Sequence, residues 1–286
     1  MNTYWKKTFG WSKSRQGLLE DCPRAYYYNY IGRYEFGKEG ANIVPLLKLQ
    51  KFHFLKGNLI HQAIRNQITQ HCLGRPVSLE AAKNFISIEF NKVLNNQQTS
   101  LSEAYNGFPF EPDFLSKEKE DSLNQINTFF TVLWHSYKDL EFLTHERLES
   151  FMLGNFKVWV QPDLVTKNAR NELTISDWKT GSPVSVDSDG DLQLSVYILW
   201  ASLHFSCEIK NIGAELVYLK TSQSFPTRRA LTQIEEVKKY IHDESGKMLA
   251  AADKSEFNPT PKLNLCKGCN FSTICEASAV KKSLVR

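Results

Sequence analysis

Two aspartates and a lysine stand in one short stretch, Asp163 to Gly181 (DLVTKNARNELTISDWKTG). It reads as two strands joined by a polar turn. Asp163 lies near the start of the first, and Asp177 and Lys179 at the end of the second. Residues i and i+2 of a strand face the same side, so Asp177 and Lys179 emerge together. Antiparallel pairing of the two strands then brings Asp163 beside them. Carboxylates gathered at one sheet end repel each other unless a cation holds them, and their hard oxygens suit Mg²⁺ or Mn²⁺. The chemistry that follows is metal-assisted phosphodiester hydrolysis. Asp163 and Asp177 ligate the ion and the backbone carbonyl of Trp178 adds an oxygen. Lys179 orients or deprotonates the attacking water, or stabilises charge on the phosphoryl group.

Other residue types join this set. Gln193 and Tyr197 share one helix face at i and i+4, on a helix that starts just after the loop leaving Gly181. They can hydrogen-bond a water or a phosphate beside the metal. His61 taken alone reads as a structural helix residue, and Glu146, at the head of the first strand, as a solvated charge. Cys266-x2-Cys269-x5-Cys275 is a tight thiol cluster. Three thiolates leave a tetrahedral site one ligand short, and Cys22, followed by Pro23, is the fourth. Spacing alone does not separate Zn²⁺ from an iron–sulfur cluster. Cys72 and Cys207 lie on apolar patterns and read as core thiols. Asp187-Ser-Asp189-Gly-Asp191 begins like a calcium loop, but Ile198 stands where the bidentate Glu is needed. Capping of the next helix accounts for it better.

The elements that must position these groups follow from periodicity. Residues 12–31 read as two short helices meeting near Cys22, with Ser12 or Ser14 as N-cap. Of Tyr26, Tyr27 and Tyr28, some are expected in the core and some on the surface. Trp11 and these tyrosines are candidates for stacking bases. Residues 33–55 read as a loop. A helix opens at Gly57 and ends at Gly74, with Leu59, Ala63, Ile64, Ile68 and Cys72 as its apolar stripe. Helices follow over 78–95 and 116–138, separated by a polar excursion loop. Strands are expected at 145–153, 155–161, 163–168 and 172–178, with turns at Gly154-Asn155 and Asn168–Asn171. A helix at 191–205, a strand at 212–220 and a helix at 232–252 complete the order. Helices, then antiparallel strands, then helix–strand–helix give an α/β or α+β core with a central mixed sheet and an N-terminal helical part.

With 286 residues, 42% hydrophobic and 23% charged, the chain has ample material for a core. A net charge of +4 is weak support for a polyanionic partner. No stretch approaches the roughly 20 apolar residues of a membrane span. The start of the chain lacks the apolar region of a secretory signal, so a cytoplasmic location is expected. In that reducing setting the six cysteines favour metal ligation over disulfides.

Taken in order, these motifs resemble the iron–sulfur RecB-like nucleases of the PD-(D/E)xK superfamily. That group includes the AddB nuclease domain, exonuclease V and the CRISPR-associated four-cysteine nucleases. Ser12-x-Ser14 before Cys22-Pro23 is similar to the N-terminal half of the cluster motif. Gly57-x3-His61 is similar to the helix histidine, Glu146 to the upstream acid, and Pro162-Asp163 to the metal-binding Asp. Asp177-Trp-Lys179-Thr-Gly181, Gln193-x3-Tyr197, and Cys266, Cys269 and Cys275 complete the series. Where the family often has Gly shortly before the first Asp, this chain has Gln161-Pro162.

The resemblance implies a restriction-endonuclease-like fold and a metal-dependent deoxyribonuclease, an exonuclease acting on single-stranded DNA. It implies a 4Fe-4S cluster on Cys22, Cys266, Cys269 and Cys275, with Zn²⁺ as the alternative. It makes His61 a further metal ligand, Glu146 a support of the site, and Gln193 and Tyr197 substrate-positioning groups. Residues 1–286 are then one nuclease domain. Residues 75–140 would be a helical insertion, and 1–31 with 259–286 a cluster subdomain. The expected setting is DNA repair or recombination, or phage or CRISPR defence. No G-x-x-x-x-G-K-[ST] motif occurs, so a helicase or defence protein would be a separate partner. The competing expectation is a non-catalytic DNA-binding or assembly subunit that retains the fold. Oligomeric state is open.

Overall fold

The computed structural model describes residues 4–182, 188–251 and 253–283. Helices come first: α1 (Tyr4–Thr8), α2 (Lys13–Asp21), α3 (Pro23–Tyr30), α4 (Lys38–Ile43), α5 (Phe52–Cys72), α6 (Leu79–Asn95), α7 (Gln97–Ser100), α8 (Ser102–Tyr105) and α9 (Pro112–Thr131). Strands follow: β1 (Glu141–His145), β2 (Glu149–Leu153), β3 (Phe156–Val160), β4 (Leu164–Lys167) and β5 (Leu173–Lys179). The chain continues through α10 (Ser188–His204), β6 (Ile212–Tyr218), β7 (Gln223–Thr227), α11 (Leu231–Ala250), α12 (Leu263–Lys267) and α13 (Ala279–Ser283). No helix among the described residues is long and apolar enough to cross a membrane.

Two compact units arise. One comprises Met1–Leu55, Asn91–Leu115 and Asp243–Arg286, the other Lys56–Phe90 and Ser116–His242. The first is built on the α2–α3 corner. Ser12 Oγ caps α2 by accepting from Arg15 N at 3.2 Å. Cys22 is extended, and Pro23 opens α3, where a missing N–H costs nothing. Tyr26, Tyr27 and Tyr28 are all buried, against the expectation that some face solvent. The reason is that the C-terminal segment wraps α3. Tyr26 and Tyr27 pack on Phe257, and Tyr28 packs on Phe271. Arg24, beneath them, pairs with Glu276 and donates to Phe257 O. Trp11 is fully buried too, so neither it nor the tyrosines offer a face for base stacking.

The second unit holds a five-stranded sheet in the order β1-β4-β5-β6-β7, and a β2–β3 hairpin. All pairs in the sheet are antiparallel except β5–β6, which is parallel and joined through α10. The sheet is therefore mixed and carries helices, the restriction-endonuclease-like arrangement expected. α10 packs on β6 and on the hairpin. Gly154, at φ 56°, makes the two-residue turn between Leu153 and Phe156. Asn168 Oδ1 accepts from the N–H groups of Arg170 and Glu172, closing the β4–β5 turn.

Several boundaries differ from expectation. Residues 33–55 contain α4, flanking 3₁₀ turns and the start of α5 instead of a loop. Gly57 thus lies inside a helix. A Cβ there would make an ordinary 3.4 Å contact with Thr180 Oγ1, which places this part of α5 against the chain leaving β5. The stretch after Asn95 forms α7 and α8, and Gln50 bridges to Leu101. β1 replaces the start of the expected 145–153 strand, so Glu146 follows a strand end and does not head one. β7 is a strand the periodicity does not predict; it lies at the sheet edge, where its Pro226 is tolerated. Cys72 is exposed and Cys207 half-buried, so neither is a core thiol. Asp187, the first residue of the calcium-like stretch, lies outside the described residues.

Candidate active site

β4 and β5 pair with Leu164 opposite Ser176, and one step further places Asp163 opposite Asp177. Trp178 N donates to Asp163 Oδ2 at 2.6 Å, pinning that carboxylate across the strands. Strand alternation does the rest. Trp178 points to one face, where Phe129 and Tyr137 meet it edge-on at 5.2 and 5.3 Å. Asp177 and Lys179 point to the other, with Lys179 Nζ 2.6 Å from Asp177 Oδ2.

α10 closes a ring on this pair. Gln193 Oε1 accepts from Lys179 Nζ at 2.9 Å. Gln193 Nε2 donates to Asp177 Oδ1 and to the Tyr197 hydroxyl, each at 2.9 Å. The hydroxyl in turn lies 3.0 Å from Gln161 O and 3.3 Å from Asp177 Oδ1.

α5 and the end of β1 supply the other side. His61 Nδ1 is 2.9 Å from Asp163 Oδ1 and 3.7 Å from Glu146 Oε1. Glu146 adopts φ 43°, a left-handed conformation that costs a non-glycine residue of order 1–3 kcal/mol. Its N–H holds that turn by donating to Pro162 O at 3.0 Å and Asp163 O at 3.1 Å. The side chain, 7% exposed, is thereby buried beside Asp163. Glu146 Oε1 is buried with no hydrogen-bond partner. One ligand atom each from His61, Glu146 and Asp163 falls within 4.8 Å of the others.

The charges are strongly perturbed. Burial pulls the His61 imidazole down, but Asp163, Glu146 and Asp177 outweigh it and its pKa rises to about 9. Burial and the Asp163 charge push Glu146 up to about 7, against His61 and Arg65. Burial raises Asp177, opposed by Lys179. Burial works against the Lys179 ammonium, yet Asp177 more than compensates and raises its pKa, so Lys179 is a cation. A crowd of buried acids, one oxygen without a partner and an imidazole is a donor set that fits a hard divalent ion.

A model of the PD-(D/E)XK nuclease superfamily matches residues 10–276. The chain belongs to that superfamily. PD-(D/E)XK nucleases are typically metal-dependent enzymes that cut nucleic acid, and Asp177 and Lys179 lie within the matched residues. The crystal structure of SSO0001 is similar to this PD-(D/E)XK protein at 18% identity. The likeness covers 58% of this chain and 80% of that one, with a TM-score of 0.32. No curated protein matches the chain.

Cys22, Cys266, Cys269 and Cys275 of this PD-(D/E)XK protein all lie in the first unit as free thiols, each half-buried. Burial pushes Cys269 up to about 12, and the nearby sulfurs of Cys22 and Cys266 add to it. Cys275 is likewise raised by burial, and Cys22 is again among its neighbours. Thr260 N donates to Cys22 Sγ at 3.5 Å. Free thiols near enough to act on one another, one of them accepting a backbone N–H, are the donor type a thiolate-held metal group uses.

Sequence reading missed two residues near these sites. Arg65, four positions after His61 on α5, has Nη1 3.6 Å from Glu146 Oε2; the i, i+4 relation to His61 was the available signal. Asn106 donates to the carbonyls of Lys267 and Cys269 at 2.9 Å and of Cys266 at 3.4 Å. Nothing in its local sequence signals this.

Proposed function

We propose that this chain is a Mg²⁺- or Mn²⁺-dependent deoxyribonuclease acting on single-stranded DNA, as an exonuclease. The observation that carries the reading is the convergence of His61, Glu146 and Asp163 within 4.8 Å, next to the Asp177–Lys179 pair. These three residues, with Asp177 and the Trp178 carbonyl, would hold the ion. When bound, the ion supplies Lewis acidity toward a phosphoryl oxygen and acidifies water. Lys179, held cationic by Asp177, acts as an electrostatic group toward the charge that builds on the phosphoryl oxygens. Gln193 fixes the Lys179 ammonium, and Tyr197 fixes Gln193.

The four cysteines would carry a 4Fe-4S cluster, with residues 1–31 and 259–286 as its subdomain. In support, residues from both segments already interlock through Arg24–Glu276 and Tyr28–Phe271. Of the 75–140 region, which we regard as an insertion within one nuclease domain, 91–115 belongs with this cysteine-bearing unit. The work suited to the module is DNA repair or recombination, or phage or CRISPR defence, beside a helicase or another defence protein.

The test is degradation of end-labelled linear and circular single strands with Mn²⁺ or Mg²⁺. Linear strands are expected to be shortened, and Asp163→Ala and Lys179→Ala to abolish cleavage with an unchanged circular-dichroism spectrum. Cleavage of circles would exclude an end requirement. A wild type inert on all nucleic acids would favour a binding subunit. Anaerobic protein should be brown, whereas colourless protein with zinc would overturn the iron–sulfur assignment.

A further inference from the structure

Arg65 has no place in the chemistry above, yet it stands at its edge. His61 and Arg65 are one turn apart on α5, and the Glu146 carboxylate lies between them. Oε1 is 3.7 Å from His61 Nδ1, and Oε2 is 3.6 Å from Arg65 Nη1. A charge-assisted N–H to carboxylate bond is about 2.7–2.9 Å long, so the Arg65 contact is loose. The guanidinium is not consumed by Glu146. Its side chain is 37% exposed, against 7% for Glu146, so it spans from the buried acids to solvent.

The neighbouring groups say which ligand such a cation meets. One turn further along α5, Thr69 Oγ1 lies 3.0 Å from His145 Nε2, so that imidazole nitrogen is already partnered. The partly exposed guanidinium of Arg65 is thus a cation available at this edge. A divalent ion taken up by Glu146 would draw off the carboxylate charge that faces Arg65. The planar fork then has no other anionic partner among the described residues while it remains beside the acids proposed to hold the metal. A phosphate oxygen pair matches that fork in charge and in bidentate geometry.

We infer that Arg65 is a substrate-binding residue whose guanidinium holds a backbone phosphate of the DNA strand beside the carboxylate site. This rests on the nuclease reading above. The alternative is a counter-ion that only steadies Glu146, and the two roles have different signatures. A phosphate contact releases counterions, so its loss lowers the slope of log K against log salt by about 0.7 for a single strand. A counter-ion for Glu146 acts on metal affinity instead.

The experiment measures binding of a labelled single-stranded oligonucleotide over a salt series, with Ca²⁺ in place of Mg²⁺, for wild type, Arg65→Gln and Arg65→Lys. Mn²⁺ affinity without DNA, Mn²⁺-dependent cleavage and circular dichroism are recorded for each. Arg65→Gln is expected to bind DNA roughly tenfold more weakly, as fits loss of one charged contact. Its salt slope should fall by about 0.7, with little change in Mn²⁺ affinity. Arg65→Lys should keep the slope and lose part of the affinity, because the charge remains and the fork does not. An Arg65→Gln protein with wild-type DNA affinity and slope overturns the inference, while cleavage by the wild type keeps the nuclease reading. Loss of Mn²⁺ affinity at an unchanged slope overturns it in favour of the counter-ion. A wild type that neither binds nor cuts DNA overturns both.

Discussion

His61 Nδ1 lies 2.9 Å from Asp163 Oδ1, with Glu146 Oε1 0.8 Å more distant at 3.7 Å, so in the metal-free protein an imidazolium occupies the place of a cation. The His61 pKa of about 9 and the Glu146 pKa of about 7 express this sharing of protons. A divalent ion takes the unprotonated forms of both, so binding must release protons. Mn²⁺ affinity should therefore rise with pH, by about tenfold per unit for each proton lost, and level off above the His61 pKa. Calorimetry in buffers of different ionisation enthalpy counts those protons. The metal-free fold should show the opposite trend. His61 has its pKa raised above the ordinary 6.5, so its stabilising contribution is full below that pH and is lost as pH rises through about 9. A Mn²⁺ affinity flat between pH 6 and 9 would disprove the coupling.

Gln193 touches both members of the D-x-K pair and Tyr197. Gln193→Ala frees Lys179 to rotate and leaves Asp177 with fewer donors. We expect a fall of roughly tenfold to a hundredfold in the cleavage rate at saturating DNA, the scale of misplaced catalytic groups. Gln193→Glu should be worse, because a carboxylate would face Asp177. Tyr197→Phe should be milder, since Gln193 keeps its bonds to Lys179 and Asp177. Single-turnover rates order the three variants, and equal rates for all of them and wild type would remove the ring from the mechanism.

What the sequence allowed to be read was strictly periodic. Asp177 and Lys179 share a face and Trp178 opposes them because β5 alternates, and Asp163 arrives opposite Asp177 because β4 and β5 form a tight hairpin. The Cys22-Pro23 break was legible because proline fixes a helix start. Glu146 was misplaced because β1 shows no clean inward–outward alternation, and because its left-handed turn is made without a glycine. The polar stretch 95–114 reads as an excursion loop. Two of its polar groups instead face inward, with Ser102 bonded to Asn270 and Asn106 to the cysteine loop. Local composition cannot report that use, since the partners are distant in sequence.

Asn106 makes a prediction about that loop. Its buried amide is the side chain that satisfies the carbonyls of Lys267 and Cys269 at 2.9 Å, with Cys266 O at 3.4 Å. Asn106→Ala removes the amide donor, and because Cys266 O and Cys269 O keep backbone N–H donors from Cys269 and Ser272, the loss falls mainly on Lys267 O, at a cost of about 1–3 kcal/mol. The variant should melt several degrees lower and retain less iron, or zinc, per chain after purification, because the Cys266–Cys269 turn loses its brace. Metal analysis and a melting curve on the same sample test this. Wild-type metal content together with a wild-type melting point would show the brace to be dispensable.

Glu146 offers a sharper separation of stability from function. It holds a left-handed φ of 43° that glycine adopts freely, and a carboxyl buried enough to be raised to about 7. Both features cost folding energy, and neither is compensated by a hydrogen bond to Oε1. Glu146→Gly should relieve the backbone strain and remove the buried acid, so the metal-free protein should be more stable, by about 1 kcal/mol or somewhat more. The same change deletes one of the three atoms gathered within 4.8 Å, so Mn²⁺ should bind roughly tenfold to a hundredfold more weakly. Glu146→Gln keeps the strain and loses the charge, and should weaken Mn²⁺ without the gain in stability. Denaturant midpoints and Mn²⁺ titrations on the pair resolve the two effects. If Glu146→Gly bound Mn²⁺ as wild type does, the strained turn would have no functional account. If it were less stable, the turn would be held by more than the two hydrogen bonds from the Glu146 N–H to Pro162 O and Asp163 O.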